Sequence, residues 1–183
     1  MAREAADEAE LLARCRAGDQ LAFRRLLELH HQRVYRIAYA LVADADEAAD
    51  ITQETFLKAW RALPGFRGDA TLSTWLTRLA LNAARDHLRR RRVRATLDTL
   101  RGGPGPVGDD PARAVVDRDE VRRALGQLSA QGREVVALRY GRDLSLAEIA
   151  AILDCPEGTV KSRLHGALTR LRAIMRAARA TSG

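Results

Sequence analysis

Apolar residues at Leu11/Leu12, Cys15, Phe23, Leu26/Leu27, Val34, Ile37/Ala38 and Leu41 recur at the three- and four-residue spacing of a helix face. Gly18-Asp19 interrupts the pattern. A second helix is predicted after Asp44, which can form a capping box with Glu47, and it should stop near Leu63 at Pro64-Gly65. The stretch Phe66-Arg67-Gly68-Asp69-Ala70 reads as an ordered loop. A third helix, from Leu72 to about Arg92, places Trp75, Leu76, Leu79, Ala83 and Leu88 broadly on one side.

The pattern then lapses. Residues 101–111 hold four glycines and three of the five prolines, too little apolar surface for a core, and read as a linker. Periodicity resumes near Asp117, with Val121, Leu125 and Leu128 on one stripe and Val135, Val136, Leu138 and Tyr140 marking the next helix. Ser145 and Glu148 form a capping box ahead of Ile149, Ala150 and Ile152. A turn from Leu153 to Gly158, in which Gly158 either relieves backbone crowding or serves as an ordinary loop residue, leads to a last helix with Val160, Leu164, Ala167/Leu168 and Leu171 inward. The expected fold is all-α: two small helical domains joined by a flexible linker. Apolar residues make up 46 % of the 183, enough for helical cores, while three Phe, two Trp and three Tyr leave little for an aromatic-rich sheet.

Charge sharpens this division. The net charge of +7 is distributed as −3 over 1–60, +7 over 61–95, −2 over 96–155 and +5 over 156–183. Each basic block follows a mildly acidic one, as expected of two modules that each face a polyanion. Lys58 and Lys161 are the only lysines. Arginine's planar fork suits phosphates and guanine edges, but a GC-rich genome accounts for the bias equally well. Arg85, Arg89, Arg90, Arg91, Arg92 and Arg94 fall within ten residues. Favourable placement near a helix C-terminus and a solvated face are open readings; neutralisation by phosphates is the third, because so many like charges repel.

Cys15 and Cys155 are isolated, which suits a reducing compartment and neither a disulfide framework nor a cysteine-rich zinc site. His30 and His31 are adjacent rather than ligand-spaced, and no glycine-rich phosphate loop carries its lysine. No catalytic residue, cofactor or metal is therefore expected, and no enzyme. An acidic N-terminus without a signal region, and no apolar run of membrane-spanning length, predict a cytoplasmic protein without direct membrane insertion.

The two helices flanking the 153–158 turn fit a helix-turn-helix unit, with generic three-helix packing as the alternative. Ser162, His165 and Thr169 face away from the apolar positions, beside Lys161, Arg163 and Arg172. The run PEGTVKSRLHGALTRLR, preceded by SLAEIAAIL, resembles the C-terminal promoter-reading domain of bacterial extracytoplasmic-function (ECF) sigma factors in the sigma-70 family. ADEAADITQETFLKAWRAL resembles their polymerase-binding helix, and FRGDATLSTWLTRLALNAARDHLRRRR their −10-element segment. The likeness covers nearly the whole chain except the extreme termini and the linker.

The resemblance implies a region 2-like domain at 8–95, a linker at 96–116 and a region 4-like domain at 117–178. It implies a transcription initiation factor that binds core RNA polymerase at the β′ clamp and β flap, directs it to promoter DNA and assists strand opening. An anti-sigma protein is implied as a further partner, one able to hold the factor near the membrane. Asp50, Gln53, Glu54 and Lys58 match polymerase-docking positions; Phe56 and Trp60 read as core. Phe66, Arg67, Thr71, Arg78, Asn82, Arg85 and Arg89 match the −10 segment, with Trp75 in the core. Thr159, Lys161, Ser162, Arg163 and His165 match the −35 reader, although an exposed helical histidine needs no special function. The chain departs from the family at Gly166, where many members carry Arg; the glycine weakens the helix and removes a phosphate contact. An autonomous DNA-binding regulator is the competing reading, and it needs neither the docking helix nor the −10 segment.

Overall fold

A computed structural model describes residues 2–100, 123–142 and 144–181, and within them all regular structure is helical. Its helices are α1 (Ala2–Arg16), α2 (Gln20–Val42), α3 (Ala45–Ala62), α4 (Leu72–Leu100), α5 (Ala130–Arg142), α6 (Leu146–Leu153) and α7 (Glu157–Thr181), with one 3-10 turn at Leu63–Gly65. The predicted linker beyond Leu100, together with Asp117 and Val121, lies outside the described residues.

The interruption at Gly18-Asp19 has a specific cause. Gly18 takes a left-handed φ of 85°. The amides of Gly18 and Asp19 donate to the carbonyls of Cys15 and Arg14 at 3.0 and 3.1 Å, closing a Schellman end on α1. Asp19 then starts α2: its Oδ1 accepts from the Leu21 and Ala22 amides at 2.9 and 3.0 Å. Those amide bonds, with Arg14 beside its other oxygen, hold the Asp19 carboxyl below the ordinary carboxylate range. Ala43, left-handed at φ 57°, ends α2, and Asp44 begins α3 by accepting from the Glu47 amide at 2.9 Å. The Glu47 carboxylate reaches instead to α4, 3.3 Å from His87 and 3.2 Å from Arg91.

Helices α2, α3 and α4 form a three-helix unit around Leu26, Val34, Ile37, Ile51, Ala59, Leu76 and Leu81, all within 1–2 % of full burial. Each large aliphatic in such a core contributes about 1.5–3 kcal/mol by leaving water. The third helix is longer than expected, running to Leu100 rather than about Arg92. The extension 93–100 contains no glycine or proline, so nothing in it stops a helix before Gly102.

Helices α5 to α7 make the second unit. The Ser145–Glu148 capping box is complete in both directions, with the Ser145 amide donating to the Glu148 carboxylate at 2.8 Å. The turn differs from expectation in one respect. Asp154, at φ 51°, takes the left-handed position and caps α6, whereas Gly158 lies in the first turn of α7 with open space around it. Aspartate tolerates this backbone region better than most residues, so the turn needs no glycine. Tyr140 is exposed, unlike its neighbours Val135, Val136 and Leu138.

The two units share one core. Val135, Leu138, Ile149, Ile152 and Val160 belong to the same continuous buried cluster as the first unit, while Leu128, Val136 and Ala167 form a smaller one. Arg133 of α5 donates to the Leu41 carbonyl of α2 at 3.1 Å.

Candidate nucleic-acid interface

Three faces carry the residues singled out in the sequence. On α3, Asp50 and Gln53 are exposed, whereas Glu54 and Lys58 are partly covered and held in an ion cluster. Lys58 Nζ lies 2.8 Å from Glu54 and 3.8 Å from Asp86, and Arg90 donates to Glu54 at 3.0 Å. The bond from Lys58, then that from Arg90, holds the Glu54 carboxyl below its ordinary range. Beside these residues runs an apolar groove of about 530 Å³ between α2 and α3, lined by Phe23, Leu27, Tyr35, Gln53, Phe56 and Trp60. Phe56 is buried and has the core role expected of it, whereas Trp60 is only half-buried and meets Phe23 edge-on, with ring centroids 4.8 Å apart, in the groove wall rather than in the core. The α2 wall was missed in the sequence. Its signal was the doublet Leu26/Leu27, which widens the apolar stripe beyond what one core contact needs.

On α4, Arg78, Asn82, Arg85 and Arg89 are all exposed and recur every three or four residues, which puts them along one side of the helix. The structure gathers the first three on one wall of a cleft of about 430 Å³, opposite Ile152, Leu153 and Asp154 of the second unit. Arg89 faces a neighbouring cavity and pairs with Asp86 at 3.1 Å. Phe66, Arg67 and Thr71 lie apart from this cleft, before and at the start of α4. Phe66 packs on Trp75 with centroids 4.9 Å apart, under the Arg16 guanidinium, which also donates to its carbonyl. Thr71 caps α4 by accepting from the Thr74 amide at 3.1 Å, and Arg67 is exposed.

The arginine run is less free than its sequence suggests. Arg85 binds Glu134 of α5 through two bonds of 2.6 and 2.8 Å. Arg89, Arg90 and Arg91 pair with Asp86, Glu54 and Glu47. Arg92 and Arg94 pair with no carboxylate among the described residues. The bond to Glu134 raises the Arg85 pKa, while burial and the charges of Arg92 and Arg91 lower that of Arg133. Self-repulsion within the run is thus relieved largely by carboxylates from other helices, a fourth outcome that the sequence did not expose.

On α7, Lys161, Ser162 and His165 share an exposed face. Thr159 and Arg163 are partly covered: Ser162 donates to the Thr159 carbonyl at 3.0 Å, and Arg163 Nη1 lies 4.0 Å from the Cys155 sulfur. Helix α6 is eight residues long and α7 twenty-five, joined by a three-residue turn. A short helix braced across a long one with a polar outer face is the geometry that lets the second helix enter a major groove.

Comparison with known proteins agrees with this division. Residues 26–94 match Sigma-70 region 2, and residues 124–173 match Sigma-70, region 4. The RNA polymerase sigma-H factor of Pseudomonas aeruginosa is 37 % identical over 171 residues, covering 86 % of this chain and 88 % of that protein. The ECF RNA polymerase sigma factor SigM of Mycobacterium tuberculosis is 37 % identical over 175 residues, covering 94 % and 87 %. Among solved structures, CnrH in complex with the cytosolic domain of CnrY is similar with a TM-score of 0.70 and 28 % identity, over 91 % of this chain and 96 % of that one. The sigma factor RpoE in complex with the anti-sigma factor NepR from Bartonella quintana gives a TM-score of 0.66 at 27 % identity, over 84 % and 96 %.

Proposed function

The chain belongs to the extracytoplasmic-function group of the sigma-70 family, and from that premise we propose how its three faces divide the work of promoter recognition. It is a transcription initiation factor and not an enzyme: it binds core RNA polymerase, directs it to specific promoters and assists opening of the −10 element. Region 2 spans residues 8–95, with α4 carrying the helix on to Leu100; 96–116 connects it to region 4 at 117–178.

The exposed Asp50 and Gln53, with Glu54 and Lys58 behind them, dock on the β′ clamp, and the α2–α3 groove beside them supplies apolar area. Arg78, Asn82, Arg85 and Arg89 take the displaced −10 strand, with Phe66, Arg67 and Thr71 at the start of α4 meeting its neighbouring segment. Strand capture divides into two tasks. Guanidinium groups neutralise phosphates without reading sequence, and a base drawn out of the stack is read through polar groups on its exposed edge. Asn82 offers both a donor and an acceptor for that edge. Thr159, Lys161, Ser162, Arg163 and His165 present α7 to the −35 duplex, where Lys161 or Arg163 suits guanine and the hydroxyls reach bases or phosphates.

The observation that carries this reading is the conjunction on one chain of the region 2 match bearing the Arg78–Asn82–Arg85 wall and the region 4 match bearing the α6–α7 unit. Two of the similar structures are complexes with a CnrY cytosolic domain and an anti-sigma factor, which supports an anti-sigma partner here as well. No described helix is long and apolar enough to cross a membrane. The site of action is the cytoplasm beside polymerase, with membrane proximity supplied by the anti-sigma partner. Run-off transcription tests the whole assignment: core polymerase with this protein should initiate from a selected promoter where core alone does not. Failure to co-purify with core polymerase would sink it.

A further inference from the structure

Helix α1 precedes all three faces in the chain, yet its last residue reaches the loop that leads into α4. Cys15 is buried, and Leu11 and Leu12 pack against the same core. The Arg14–Asp19 ion pair at 2.8 Å and the Schellman end at Gly18 fix how α1 turns into α2. Arg16 therefore leaves a rigid corner. Its guanidinium lies over the Phe66 ring, 5.6 Å from the centroid, and donates to the Phe66 carbonyl 50 positions away. Trp75 of α4 packs on the same ring, and the Phe66 amide donates to the Leu63 carbonyl at 3.1 Å. The loop is pinned again at Thr71, which caps α4. Between these two anchors Arg67, Gly68 and Asp69 are exposed, with Gly68 at a left-handed φ of 84°. Arg67 can only donate and an ionised Asp69 can only accept, so the tip offers both halves of a polar contact.

We propose that Arg16 is a positioning residue for −10 recognition, fixing the first anchor of the 66–71 loop so that its removal lowers discrimination between −10 sequences and not attraction to DNA. The inference rests on the reading of Phe66, Arg67 and Thr71 as part of the −10 face. Phosphate contacts along α4 act through charge and tolerate small displacements. Base discrimination instead needs polar groups held to within about 0.5 Å of their productive place. Without Arg16 the Phe66 carbonyl loses this donor and the ring loses the cation over it, so residues 67–69 spread over several arrangements. The arginines of α4 stay where they are, because that helix is held by its own core contacts. Lysine would keep both a cation for the ring and a donor for the carbonyl, whereas glutamine keeps only a donor, on a shorter stem. The expected order of discrimination is therefore Arg, Lys, Gln, Ala.

The test uses core polymerase with the full chain and a promoter selected from a library randomised at −10. Run-off is measured on that promoter and on versions with each −10 base pair replaced in turn. The parent should lose about tenfold for replacement at the position the loop reads. Arg16→Ala should shrink that penalty to about threefold, Arg16→Lys should restore most of it, and Arg16→Gln should fall between. In the free chain, hydrogen exchange at amides 67–70 should be about fivefold faster in Arg16→Ala, with α3 and α4 unchanged. If Arg16→Ala proves unfolded by circular dichroism, the Lys and Gln variants carry the test, and equal penalties in the two overturn the proposal. A lower melting temperature with the parent's penalty retained would reduce Arg16 to a brace of the fold and overturn it. A uniform loss on every promoter version, with the log–log salt dependence shallower by about 0.7, would make Arg16 a phosphate contact and overturn it as well. Full discrimination in both Phe66→Ala and Arg67→Ala would instead remove the loop from the −10 face, the reading beneath the proposal.

Discussion

The two basic blocks of this chain differ in availability more than in charge. The block at 61–95 sums to +7 and the block at 156–183 to +5, yet the larger sum is the more heavily neutralised. Four of the six clustered arginines on α4 lie on carboxylates, one of them from region 4. On α7, Lys161, Arg163, Arg170 and Arg172 have no carboxylate partner among the described residues. A block sum therefore measures the long-range field that draws DNA in, whereas local pairing decides which cations can make contact on arrival. The weaker anchor suggested by Gly166 is also the one whose cations are ready.

The strongest way to break the contrast is to loosen what brings the carboxylates to α4. Leu138 is fully buried on α5 in the shared core, and Leu138→Ala should cost about 3 kcal/mol in urea unfolding. Next in size is the deficit on α7. Gly166 is exposed, and a Cβ there meets nothing within 4 Å, so Gly166→Arg fits without rearrangement. It should raise stability by about 1 kcal/mol through helix propensity. It should also strengthen duplex binding across several sequences and steepen the log–log salt dependence by about one unit. Equal affinity for parent and variant at low and moderate salt would show that α7 does not meet phosphates at this position.

Backbone strain gives a smaller contrast. Among the described residues, each region holds one left-handed non-glycine residue, Ala43 in the first and Asp154 in the second. Ala43→Gly should stabilise by about 0.5–1 kcal/mol, measured by thermal melting, because alanine pays a steric penalty in the left-handed region, which aspartate tolerates better. The smallest effect separates the blocks by pH. The Glu54 carboxyl is depressed in the folded state, so its contribution is fully present above the unfolded value of about 4.3. That contribution is lost as pH falls through the lower folded value. A partly exposed pair of this kind is worth about 0.5 kcal/mol. Hydrogen exchange should thus show α3 and α4 loosening in acid before α7, and simultaneous loosening would deny the pairing its role.

Much of this architecture was legible in local chemistry. Asp44 and Ser145 cap the helices they were expected to cap, the break at Gly18-Asp19 falls where the pattern lapsed, and Pro64-Gly65 ends α3, because capping and breaking involve residues within five positions of one another. Trp75 and Phe56 were correctly placed in the core from spacing alone. Three features were not legible. The α4 extension carries no positive signal, only the absence of a stop. The left-handed position at Asp154 was overlooked because Gly158 is the more conspicuous candidate in the same turn. The groove walls come from α2 and α3 together, and one helix's period cannot say what its neighbour leaves uncovered.

The sequence by itself determined the helices, most of their caps and the two-unit order, which follow from interactions between near neighbours. The residues proposed to meet polymerase and DNA come from its resemblance to the sigma-70 family. Only the tertiary structure decided which of those residues are free. Arg85 and Glu134 stand 49 positions apart, and Arg78 and Ala151 73, on opposite sides of the linker. Electrostatic pairing depends on distance in space, and no local pattern reports where a distant carboxylate will be packed.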